Sequence, residues 1–152
     1  LQMPVKFKGA LKLNKKLTKL LPDARSNFAK EMKRTIVDII VEKITSGLSP
    51  VRGQNRYKKY SDGYAKTKGR KEPVDLVGSG SMLNNMIAKQ TNKDTIVIEF
   101  RGKSSKIASY HNNGTDKMPQ RKMLPAGREI FKSDIMNKIV KILQKAVSKA
   151  LK

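Results

Sequence analysis

Residues 95–100 read TIVIEF, and Ile96, Ile98 and Phe100 alternate there with Val97, Glu99 and the following Arg101. This is the period of two expected when successive side chains point to opposite faces of a sheet. The preceding stretch from Asn85 to Gln90 is also compatible with a strand, and Thr91, Asn92, Lys93 and Asp94 have the composition of a four-residue turn. A β-hairpin is therefore expected at the centre of the chain. PVDLVGSGSML (73–83) leads into it and SSKIASYHNNGTDKMPQRKMLP (104–125) follows it.

The flanks read as helices packed on this centre. Between Asp23 and Thr45, Phe28, Met32, Ile36, Ile39, Ile40 and Ile44 recur at three and four residues, with Asp23 at the dipole-favoured start and Ser46-Gly47 as the stop. From Gly127 to Leu151, Phe131, Ile135, Ile139, Ile142, Leu143, Ala146, Val147 and Ala150 share one face. Lys138, Lys141, Lys145, Lys149 and Lys152 fall within roughly 80° of one another on the opposite face at ~100° per residue. This rail reads either as a solvated face or as a surface laid toward DNA. Ser104 to Asn113 is expected as a short helix, capped by Ser104 or Ser105, stopped by Gly114, with Ile107, Ala108 and Tyr110 inward. Pro119 and Pro125 bracket a possible extra strand. Towards the N-terminus, Val5 and Phe7 suggest a short edge strand, and the leucines between Ala10 and Leu21 a helix ended by Pro22.

Residues 49–72 differ in character, with three glycines, many basic residues and no apolar period. A long basic loop or arm is expected there, with at most one helical turn. Its interleaved Tyr57, Tyr60 and Tyr64 with Arg52, Arg56, Lys58 and Lys59 would suit the stacking and phosphate neutralisation of a single-strand binder. The other reading is that the tyrosines pin the arm to its own domain or to a neighbouring subunit.

The 152 residues suit one domain, an α+β fold in which a small antiparallel sheet with a central hairpin is packed by two long amphipathic helices. No cysteine is present, which removes disulfides, thiolate metal sites and cysteine nucleophiles. No apolar run approaches the ~18–20 residues that span a bilayer, and LQMPVKFKG carries no signal-peptide core, so a soluble chain without a membrane partner is expected. With 34 Lys+Arg against 12 Asp+Glu the net charge is +22, which makes a polyanion the obvious partner.

Catalysis finds little support. His111 is the one histidine, its nearest acid in sequence is Asp116, and HNNGTD is not a metal-ligand spacing. The carboxylates are scattered, with no DxD or ExxH pair for magnesium, and GSGS (78–81) lacks the Lys-Ser/Thr of a phosphate-binding loop. No catalytic residue, cofactor, metal site or small-molecule substrate is expected.

The order of elements is more informative than any one of them. Leu76, Ser79, Gly80 and Met82 precede the sheet; Ala108, His111, Asn112 and Gly114 follow it; Pro119, Arg121, Met123, Leu124 and Pro125 come after those. This succession resembles the virion morphogenesis and tail-completion (neck, head-tail joining) proteins of tailed bacteriophages over residues 49–131, with Met123 where an aromatic is frequent. The resemblance implies a non-catalytic subunit of a homo-oligomeric ring between the head connector or adaptor and the tail terminator or tube, with packaged DNA passing through the lumen. It also implies a protein located in the virion neck after assembly in the bacterial cytoplasm. On that reading Tyr57, Tyr60, Tyr64, His111 and Arg121 are candidate subunit contacts, and Lys138, Lys141, Lys145 and Lys149 are candidate DNA-facing residues. The alternative is a free basic nucleic-acid-binding protein.

Overall fold

A computed structural model describes residues 5–6, 22–92, 95–150 and 152. The expected helix over 10–21 lies outside the described residues, as does Phe7. The fold is α+β. In chain order it comprises β1 (Val5–Lys6), α1 (Pro22–Glu31), a π-helical turn (Met32–Ile36), α2 (Val37–Thr45), α3 (Asp62–Lys68), α4 (Ser81–Asn84), β2 (Met86–Asn92), β3 (Thr95–Phe100), α5 (Lys103–Asn113) and α6 (Ser133–Ala150). The antiparallel sheet has the order β1-β3-β2, so TIVIEF is its central strand.

The hairpin is tighter than its composition suggests. β2 runs on to Asn92, which pairs with Thr95 across a register shift after Gln90, leaving two residues rather than four for the connection. β3 is buried on both faces, Val97 as well as Ile96 and Ile98, whereas β2 is covered only at Met86 and Ala88 and its last four residues are exposed.

The helix expected over 23–45 is continuous from Pro22 to Thr45 but contains the π turn. Its fully covered apolar residues, Phe28, Met32, Ile36, Ile40 and Ile44, are spaced by four throughout. In a pure α-helix each such step drifts by about 40°, which would carry the stripe off the core within four steps. A π turn holds more residues per turn and drifts the other way, so placing it between Met32 and Ile36 keeps the stripe in line. α1 packs against α6, the π turn touches both α6 and β2, and α2 reaches β2. Each fully buried Ile or Phe contributes on the order of 1.5–3 kcal/mol.

Four further expectations are corrected. α6 starts at Ser133, not Gly127, because residues 130–132 are engaged by the 49–57 loop. Arg52 N–H donates to Ile130 O (2.9 Å), Lys132 N–H donates to Pro50 O (2.9 Å), and Val51 bridges Phe131. The stretch 119–125 forms no strand; its backbone is taken up by α5 through side-chain and single main-chain bonds. In α5 the inward residues are Ser104, Ala108 and Asn112, one every four, while Ile107 and Tyr110 are nearly half exposed. Ser104 does not cap this helix: its hydroxyl is buried against Asn85 Nδ2 (3.0 Å), and Gly102 occupies the cap position.

Gly114 does end α5, its N–H bonded to Tyr110 O (2.9 Å). Its φ of +74° and ψ of 169° are open to glycine alone, and a Cβ there would stand 3.0 Å from Gln120 N and 3.2 Å from Gln120 Cα. Because backbone is what obstructs it, Gly114→Ala is expected to lower stability by about 2–4 kcal/mol in urea unfolding. A loss below about 1 kcal/mol would show that the 114–120 turn can open.

Candidate functional site

The basic arm is not extended. Ser61 caps α3, its Oγ accepting from Tyr64 N–H (3.4 Å), and Gly69 closes the helix in the left-handed conformation. Tyr57 and Tyr60 turn inward. Tyr57 is buried and its hydroxyl donates to Lys122 O (3.0 Å), while Tyr60 Oη donates to Asp75 Oδ1 (3.0 Å) and accepts from Leu76 N–H (3.1 Å). Burial pushes both phenols up, that of Tyr60 to about 12. Arg121 is buried as well, and its guanidinium donates to Lys58 O (3.2 Å) and Lys59 O (3.3 Å). Three of the candidate contacts, Tyr57, Tyr60 and Arg121, are thus used to bind the arm to its own domain.

Asp75 anchors this arrangement, and sequence reasoning missed it. Its carboxylate accepts from Tyr60 Oη, from Val77 N–H (3.0 Å), from Lys68 Nζ (3.1 Å) and from Arg70. Burial alone would raise its pKa, but the bonds from Val77, Lys68 and Tyr60 outweigh it and hold the carboxyl below the usual range. One acid inside the apolar run PVDLV was the available signal. Leu76, next to it, has φ +54°, an uncommon conformation for a branched side chain, held by the Tyr60 hydroxyl on its N–H and by burial of its own side chain.

Tyr60, Tyr64, His111 and Arg121 converge on one cleft. Together with Lys59, Ser61, Leu76, Lys117, Met118 and Pro119 they line a cavity of about 470 Å³. The aromatic wall is layered: the Arg121 guanidinium lies 5.5 Å from the Tyr60 ring centre, and Tyr64 meets Tyr60 edge-on at 4.9 Å. Opposite, the tight turn Thr115–Met118 is closed by paired main-chain bonds of 2.9 and 3.2 Å and by the Thr115 hydroxyl, which places Lys117 near its tip. His111 Nδ1 is buried without a hydrogen-bond partner. Burial, with the Arg121 charge adding to it, pushes the imidazole below its ordinary pKa and keeps it neutral at pH 7.

Lys138, Lys141, Lys145 and Lys149 are all exposed along α6. At 100° per residue they lie about 95° from the centre of the buried face defined by Ile135, Ile139 and Ala146, so the rail runs along a flank of the helix rather than opposite its core side. That flank meets α1: Lys145 and Lys149 share a shallow groove with Asn27, Lys30 and Glu31. The described residues hold no cluster of three potential metal ligands, and none of the described helices is long and apolar enough to cross a membrane. Comparison of the chain with protein-family models, with curated proteins and with solved structures finds no match.

Proposed function

We propose that the chain is a structural subunit of a tailed-bacteriophage neck, forming a ring that joins the DNA-filled head connector to the tail and completes tail attachment. One observation carries this reading: the three separated motifs behind the resemblance knit into one unit beneath the cleft. Asn112 Oδ1 accepts from Met123 N–H (2.7 Å) and Leu124 N–H (2.9 Å), Arg121 N–H donates to His111 O (2.7 Å), and Gly114 lies against Gln120. Leu76 joins them in the cavity wall. Motif residues that fix the walls of one cleft from within suit a protein that presents a rigid surface to its neighbours. Electron microscopy of virions labelled on this protein is the test. Density confined to the head-tail junction is expected, and absence from purified particles would overturn the proposal.

The exposed lysine rail favours a second reading, a free nucleic-acid-binding protein. Four phosphate contacts give a log-log salt slope of about −3.6, a loss of roughly 150-fold between 50 and 200 mM salt. For a neck subunit with a DNA-lined lumen, weak binding to linear duplex with a slope of that size is expected, flattened in the variant with all four rail lysines changed to glutamate. Sub-micromolar binding at ~150 mM salt by a protein missing from particles would favour the free binder.

A further inference from the structure

We propose that the aromatic cleft is one half of a heterologous contact between copies of this chain, and that the other half is the outer face of α2 carrying Asp38 and Glu42. The inference rests on the ring reading and names the surfaces by which neighbours meet.

The cleft is apolar within and cationic at its edge. Tyr64, Ile107 and Tyr110 are three of the five large apolar side chains left most exposed among the described residues. Tyr64 lines the cleft directly. Ile107 sits on α5 one turn before His111 and on its side of the helix, so it continues the lining outward, whereas Tyr110 lies about 100° further round. Lys59 and Lys117 are exposed at the rim; Lys59 also meets Glu72 at 3.4 Å across open surface. A cationic rim of this kind favours a partner surface that brings carboxylates to it.

Among the described residues, one pair of exposed carboxylates fits that rim. Asp62, Glu72, Asp75, Glu129 and Asp134 are each ion-paired internally. Asp38 and Glu42 are both exposed, stand one turn apart on α2 and form no ion pair among the described residues, with half-buried Val41 beside them. Asp116 is exposed too, but it stands alone on the turn that carries Lys117.

Charge also decides the symmetry. Two clefts facing each other would oppose lysine to lysine in a chain of net charge +22, whereas cleft against α2 opposes unlike charges. Contact between two different patches is head-to-tail, and it closes into a ring when the rotation between neighbours divides the circle. The exposed ion pairs add little affinity and mainly set partner and register; the aromatic and aliphatic side chains of the cleft supply the apolar burial.

The test is self-association of the full chain, followed by light scattering and sedimentation. Lys59→Glu with Lys117→Glu, and separately Asp38→Lys with Glu42→Lys, are expected to weaken assembly at least about tenfold while melting as the wild type does, since all four positions are exposed. Tyr64→Ala, which alters no charge, is expected to weaken it as well. Mixing the two charge-reversed variants restores assembly, because each then supplies the surface the other lacks. The proposal is overturned if either reversed variant assembles like the wild type, if the mixture of folded variants fails to assemble, or if the wild type stays monomeric at about 100 µM. None of these results bears on whether the protein sits at the head-tail junction, which particle imaging decides separately.

Discussion

Replacing Asn112 by alanine is expected to lower the unfolding free energy by about 3–5 kcal/mol, the largest loss for a single polar side chain in this fold. The side chain is 1% exposed and replaces a missing strand partner: it accepts from two successive N–H groups, of Met123 and Leu124, and donates through Nδ2 to Leu124 O at 3.1 Å. Alanine leaves three buried backbone groups without partners, each costing roughly 1–3 kcal/mol, where water cannot easily replace the amide because Met123 and Leu124 are themselves fully covered. Its neighbour Asn113 is exposed and bonds only to Ser109 Oγ (3.2 Å), so Asn113→Ala is a matched control worth under about 1 kcal/mol. Urea unfolding of the two variants measures the contrast, and comparable losses at both positions would show that the 119–125 segment holds its course without Asn112.

Removal of the Asp75 carboxylate has the next largest expected effect, about 3 kcal/mol for Asp75→Ala at pH 7. Four donors lose the carboxylate at once: the Tyr60 hydroxyl, Val77 N–H, Arg70 and Lys68, the last of which keeps Val77 O. Arg70 is nearly half exposed and regains water, which keeps the figure from rising further. The dependence on pH has a definite sign. A carboxyl held below its usual range in the folded chain contributes stability that is present above the unfolded value near 4 and is lost as the pH falls through the folded one. The wild type should therefore lose more stability over that acid interval than the variant, which keeps only the lowered carboxyls of Asp62, Glu129 and Asp134, so the two unfolding curves approach each other. A gap that stays constant from pH 7 to pH 3 would assign the effect to packing alone.

Much of the fold is readable from periodicity. TIVIEF has the period of a strand, and the apolar residues of 28–44 and 135–150 recur as helical stripes, because their burial depends on which face a residue occupies. What periodicity could not reveal is structure held by single polar side chains. The 49–72 arm has no apolar repeat, yet it folds through the Ser61 cap, the Gly69 stop and the inward Tyr57 and Tyr60. Ser61 and Gly69, eight residues apart, were the local signals for α3. The segment around Arg121 reads as a strand between two prolines, but its backbone bonds run to Asn112 and His111, partners that spacing does not announce. Of the candidate contacts, Tyr60, Tyr64, His111 and Arg121 do come together, and Tyr57 lies in the core instead. Ile107 and Tyr110, expected inside, are exposed on α5. An α5 of eleven residues presents one residue in four to the core, and Ser104, Ala108 and Asn112 already fill that line.

The π turn at Met32–Ile36 makes the long helix two rods with separate phases. The part before it is aligned to α6 and the part after it to the sheet, so the turn works as an angular coupling between two packing surfaces. Loss of one residue inside 32–36 would restore an ordinary helix while rotating everything upstream by about 100°, carrying Phe28 away from the core. Lineages of this chain can therefore lengthen or shorten that helix at its ends, but insertions and deletions within those five residues change which protein surface it can bury.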